Sequence, residues 1–282
     1  MEDKFSEYVK RNDFLVCVDS DGCAMNTMDI KHFRCFGPCM VAEWELNAWQ
    51  EEILARWNEI NLYTMTRGIN RFKGLARALR EIQEKYCEIE ELERLEQWVN
   101  ETSELSNEAL EREIAGADSV CLRKALSWSL AVNRSIEALD EADKQPFKGV
   151  KAALKKAYQE ADIAVVSSAN PEAVQKEWEI HGLLEYTDVV LAQDSGSKSF
   201  CISRLLRRGY QPEHVLMCGD APGDLKASEQ NGVFFYPILA GREAESWEEF
   251  RETALKHFLE GSYGGVYQQE KTEQFLTRLK ED

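Results

Sequence analysis

No stretch of this sequence stays apolar for the ~20 residues that a membrane-spanning helix needs. The opening "MEDKFSEYVKRNDF" is polar and mixed in charge, unlike a secretory leader, so the cytoplasm is the expected location. The eight cysteines contain no CxxC pair, which argues against a disulfide framework and makes reduced thiols the expectation. "KHFRCFGPC" does place His32, Cys35 and Cys39 close together, but no second ligand pair accompanies them as a zinc site would require. Positive charge is scarce: 34 Lys and Arg stand against 51 Asp and Glu, a net charge of −17. That balance argues against nucleic acid or an anionic membrane as partner. An anionic substrate would have to be met by locally placed cations or a metal. Internal repeats and low-complexity segments are also missing.

Apolar residues make up 44% and charged residues 30% of the 282 positions, enough for a full core. Three β-branched runs end in small or acidic residues: "FLVCVDSDG" (14–22), "DIAVVSSAN" (162–170) and "HVLMCGDAPGD" (214–224). "YTDVVLA" (186–192) and "VFFYPI" (233–238) are shorter runs of the same kind. Near-continuous hydrophobicity marks strands covered on both faces, as in a parallel sheet. Helical patterns at 148–160, 170–181 and 198–208 alternate with them. The alternation predicts a Rossmann-like, doubly wound α/β core.

Between the first strand and the rest the pattern changes. Trp49, Ile53, Trp57 and Ile60 fit one helix face, and Phe72, Leu75, Leu79, Ile82 and Tyr86 another. Further helices are expected over 88–100, 106–115 and 119–139. The predicted organisation is therefore an α/β core from 1–27 and 147–245, an inserted all-helical domain at 28–146, and a helical C-terminal extension at 246–282 broken at "GSYGG".

Ligands of open α/β sheets sit beyond the carboxyl ends of the strands. There the sequence places Asp19 and Asp21, then Ser167 with Ser168 behind it, then Gly219, Asp220 and Asp224, while Lys198 opens a helix. Singly, each has a plain reading: Asp21-Gly22 as a turn, Asp224 as a helix cap, Ser167 bonded to local backbone, Lys198 as a solvated lysine. Jointly, acids gathered at one sheet edge repel unless a divalent cation and a lysine offset them. Hard oxygen ligands of this kind suit Mg²⁺.

The set "DSDG", "VVSSAN", "GSKSF" and "GDAPGD", in that order, resembles the motifs of the haloacid dehalogenase superfamily of phosphohydrolases, and the helical insert resembles that family's cap. The resemblance covers about 11–30 and 148–240. It implies Asp19 as the nucleophile that forms an aspartyl-phosphate, and Asp21 as general acid and then base. It implies Mg²⁺ held by Asp19, Asp220 and the backbone carbonyl of Asp21, with Asp224 orienting the ion or its water. Ser167 would bond the phosphoryl oxygens and Lys198 would offset their charge. Cys23 stands where the family usually has Thr, and Asn26 where an acidic residue is common.

The segment "TMTRGINRFKG" (64–74), containing Gly68, resembles the cap loop of the β-phosphoglucomutase-like branch. Arg67 and Arg71 in it are candidates to grip a second anionic group of the substrate, and Lys73 is a nominal candidate for a Schiff base. The implied activity is a Mg²⁺-dependent phosphatase for a small phosphorylated metabolite. A phosphomutase shares every core residue named, and a non-catalytic metal-binding module is the alternative of another class. The sequence leaves the oligomeric state open.

Overall fold

The computed structural model describes residues 4–117 and 119–279. A short helix, α1 (Lys4–Glu7), precedes β1 (Phe14–Val18), after which the chain leaves the sheet. The excursion comprises α2 (Met28–Lys31), α3 (Gly37–Glu43), α4 (Gln50–Asn58), α5 (Arg71–Lys85), α6 (Leu92–Glu101), α7 (Asn107–Gly116) and α8 (Val120–Glu137). The chain then alternates α9 (Val150–Ala157), β2 (Ala161–Val166), α10 (Pro171–Ile180), β3 (Val189–Leu191), α11 (Lys198–Leu206), β4 (Val215–Gly219), α12 (Pro222–Asn231) and β5 (Phe234–Pro237). Helices α13 (Glu243–Glu249), α14 (Leu255–Leu259) and α15 (Val266–Arg278) follow.

Two compact units result, one holding the sheet, the other formed by Asp29–Asp140. In the first, all strand pairs are parallel and the order is β3-β2-β1-β4-β5. The sequence order reverses between β1 and β4, so these two strands flank the switch point where α/β sheets open a crevice. Alternate side chains feed two separate cores. Val16, Val18, Ile163, Val165, Leu216 and Cys218 face Trp178, Trp247, Phe250 and Phe258. Leu15, Cys17, Ala164, Val166, Val215 and Met217 face Cys201, Ile202, Leu205, Ala227 and Phe275. Burial on both faces is the physical cause of the unbroken apolar runs. The C-terminal helices belong to this unit: the Tyr263 hydroxyl donates to Phe235 O of β5 at 2.7 Å, and Phe275 packs on Phe235. The glycine-rich break falls between α14 and α15, where Gly261 and Gly265 take φ of 72° and 76°.

The helical unit has its own core. Cys121, Leu122, Ala125, Trp128 and Val132 form the buried stripe of α8, and Phe72, Leu75, Leu79 and Ile82 that of α5. Caps set the helix starts, with Ser106 Oγ accepting from Ala109 N at 3.1 Å and Asn70 Oδ1 from Phe72 N at 2.9 Å. The second cap corrects one expectation: 71–74 is not loop but the first turn of α5. Gly74 sits there because an added Cβ would come 2.6 Å from Asn61 Oδ1, a close helix approach that reads in sequence as a loop signal. Among the described residues no helix is long and apolar enough to cross a membrane.

Candidate active site at the carboxyl ends of the strands

Asp19 follows β1, Asp220 follows β4, and Asp224 lies in the first turn of α12; all three are buried. One carboxylate oxygen from each lies within 4.8 Å of the others. Lys198, the first residue of α11, sits against them with Nζ 2.8 Å from Asp19 Oδ2 and 2.6 Å from Asp224 Oδ1. The helix is positioned by Ser197, whose Oγ accepts from Phe200 N at 3.2 Å. Lys198 is thus a largely buried counter-ion, its side chain 14% exposed, rather than a solvated lysine.

Burial disfavours ionisation of Asp19; the Lys198 charge opposes this and Asp224 adds to it, so the carboxyl is pushed up to about 6. Asp224 is likewise raised, by burial first, against the pull of Lys198. For Lys198 burial acts downward, but the charges of Asp19 and Asp224 outweigh it and hold the ammonium above the ordinary lysine range. One lysine, Lys198, pairs with two of the three acids, Asp19 and Asp224. Carboxylate oxygens at this spacing fit a hard divalent cation. Asp224 also reaches back to the Ala221 N–H with Oδ2 (3.1 Å), so capping and charge compensation coincide in it. Gly219 makes room for this, since a Cβ there would lie 2.3–2.4 Å from atoms of Asp224.

Asp21 stands apart from the triad of carboxylates. Its Oδ1 accepts the Thr27 hydroxyl at 2.6 Å, and it is half-buried. The segment is kept tight by Gly22, whose φ of 80° favours glycine. Ser167 is buried one residue beyond β2; its amide donates to Leu191 O at 2.9 Å and its Oγ accepts from Ala169 N at 3.2 Å. Its hydroxyl proton is not consumed by that bond. Ser168 is exposed beside it.

The other residues singled out belong to the helical unit. Arg67 is 3% exposed and donates from Nη1 to Leu62 O at 2.7 Å, with Gly68 next to it at φ 71°. Arg71 donates from Nη1 to Ser129 Oγ (3.0 Å) and Asn133 Oδ1 (2.7 Å), and its guanidinium lies over the Phe36 ring. These contacts tie α5 to α8. The Nδ1 of His32 accepts the Trp57 indole N–H at 3.1 Å, and among the described residues only Asp19, Asp220 and Asp224 form a metal-like cluster. Sequence reasoning missed Thr27, Ser20, Trp178 and Trp247, which touch the segment of Asp19 and Asp21. A six-residue offset and two tryptophans on helices distant in sequence give no local signal.

The haloacid dehalogenase-like hydrolase profile matches residues 69–238, well over half the chain and beginning after Asp19 and Asp21. Among curated proteins no sequence match is found. Many solved structures resemble the fold. A proposed phosphoglycolate phosphatase from Lactobacillus delbrueckii subsp. bulgaricus is 15% identical over 90% of this chain and 100% of that one, with a TM-score of 0.53. A proposed β-phosphoglucomutase from Thermotoga maritima is 15% identical over 88% of this chain and 97% of that one, with a TM-score of 0.49. At such identities the likeness is one of fold. With the profile spanning most of the helical unit and the sheet through β5, the chain belongs to the haloacid dehalogenase-like hydrolase family.

Proposed function

We propose that this hydrolase is a Mg²⁺-dependent phosphatase of small phosphorylated metabolites that works through an aspartyl-phosphate on Asp19. The observation that carries the reading is the buried cluster in which Lys198 bonds Asp19 and Asp224 while Asp220 lies within the same 4.8 Å group of oxygens. Asp19 attacks phosphorus. Asp21 protonates the departing alcohol and then takes a proton from the water that attacks the acyl phosphate. Ser167 donates its hydroxyl to a phosphoryl oxygen, and Lys198 offsets the charge that gathers beside the nucleophile. Asp19, Asp220 and Asp224 are the side chains that would hold Mg²⁺, together with the Asp21 carbonyl. The ion supplies, when bound, charge neutralisation for the acids and the phosphoryl group. The buried, backbone-bonded Arg67 and the Arg71 tie to α8 favour scaffold roles in the helical unit over a direct grip on substrate.

The test is turnover of a broad phosphomonoester panel with Mg²⁺, beside EDTA and Asp19→Asn controls. Phosphate release lost in both controls is the expected result. A wild-type protein that turns over no member would instead support a non-catalytic module. A sugar phosphate isomerised without stoichiometric phosphate release would select a phosphomutase.

A further inference from the structure

The segment that carries both aspartates is wound on a single carbonyl. Ser20 O accepts the amides of Cys23 (3.2 Å), Ala24 (2.9 Å) and Met25 (2.8 Å). Its two ends are tied by backbone, with Asp19 N donating to Cys218 O at 3.0 Å and Ala24 O accepting from Phe147 N at 3.0 Å, and between those ends two indoles bond the residues next to Asp21 and Gly22. Trp178 of α10, fully buried, donates Nε1–H to Ser20 Oγ at 2.9 Å. Trp247 of α13, also fully buried, donates Nε1–H to Cys23 O at 2.8 Å. The two acceptors sit immediately on either side of Asp21 and Gly22. An indole is a donor only, on a rigid ring, so each bond fixes one direction. The Trp247 ring packs against Phe250, 5.5 Å away between centroids.

We infer that Trp178 and Trp247 are positioning residues that hold Asp21 in register with Asp19, and that α13, which lies beyond the profile match, is thereby part of the catalytic scaffold. The inference rests on the phosphatase reading above. Neither indole touches a reacting atom. Their effect is on where Asp21 stands, and displacements near 1 Å at such groups cost up to about a hundredfold in rate.

The test compares Trp178→Phe, Trp247→Phe and Ser20→Ala with Tyr263→Phe. The last removes a buried hydroxyl bond of the C-terminal segment to β5 without touching the 19–25 turn. Turnover of p-nitrophenyl phosphate is measured below each variant's Tm, and amide hydrogen exchange in metal-free protein. Because p-nitrophenolate leaves without a proton and only hydrolysis of the acyl phosphate needs Asp21, the expected result is kcat lowered about tenfold or more with kcat/KM within about twofold for both tryptophan variants, and faster exchange at Cys23, Ala24 and Met25 with β4 still protected. Ser20→Ala reproduces the Trp178→Phe loss, and the double variant loses no more. Tyr263→Phe lowers Tm and leaves kcat and the turn unchanged. Wild-type kcat and unaltered exchange at the turn in both tryptophan variants would overturn the inference while leaving the phosphatase standing. An inactive wild type would defeat the phosphatase reading, and the exchange data alone would then decide whether the indoles hold the turn.

Discussion

Asp19 and Lys198 set the electrostatics of the site, and their titration has a definite sign. The folded-state pKa of Asp19, about 6, lies above its ordinary 3.8. The cost of burying its charge is absent below pH 3.8, grows to about 6 and is constant above. Lys198 is shifted upward, so its favourable pairing persists through neutral pH and is lost only in strong alkali. Replacing it by Met removes the charge bonded to the buried Asp19 and Asp224, and Lys198→Met is expected to cost about 3–5 kcal/mol at pH 8. That cost shrinks at pH 5, where Asp19 takes up a proton; urea denaturation in EDTA at the two pH values measures it. Asp21 gives a second outcome. A p-nitrophenolate leaves without a proton, whereas hydrolysis of the acyl phosphate needs a base. Asp21→Asn should release about one equivalent of p-nitrophenolate rapidly and then turn over about 10²–10⁴-fold more slowly, as stopped-flow absorbance would record.

At the scale of elements, the strand ends do the positioning, and the glycine closing β4 is the sharpest case. Gly219→Ala must displace Asp224 and with it the bond to Lys198, so activity is expected to fall with magnesium affinity, as titration calorimetry would show. The opposite, amino end of the sheet is held by Asp162, which is fully buried. It accepts the amides of Arg11 (2.8 Å) and Asn12 (3.2 Å) and the hydroxyls of Tyr8 and Tyr210. Asp162→Ala should cost about 3–5 kcal/mol by denaturation while sparing kcat below Tm. Strands were legible because burial on both faces forces continuous hydrophobicity, and residues just after them could be named in advance for that reason. Residues 71–74 of the expected loop belong instead to α5, where Gly74 allows close packing against Asn61. The anchors of the 19–25 turn were not legible at all, since Trp178 and Trp247 reach it only through the tertiary fold.

The whole molecule is two units with separate cores, the helical one built from Trp57, Trp98, Trp128 and the leucines around them. Leu95→Ala should therefore cost about 2–5 kcal/mol and raise hydrogen exchange across α5, α6 and α8 while β1 and β4 amides keep their protection. That the segment after the first strand is helical was readable from its apolar spacing. Where its polar contacts fall was not: nothing in the local sequence announces that Arg71 bonds Ser129 and Asn133 of α8.

The most direct measurement is to quench the protein in acid during turnover of p-nitrophenyl [³²P]phosphate with Mg²⁺ and map the covalent label. The expected label is on Asp19, labile to alkali as an acyl phosphate is, and missing in Asp19→Asn. Steady turnover with no label on Asp19, or turnover undiminished in Asp19→Asn, would contradict the assignment of the nucleophile.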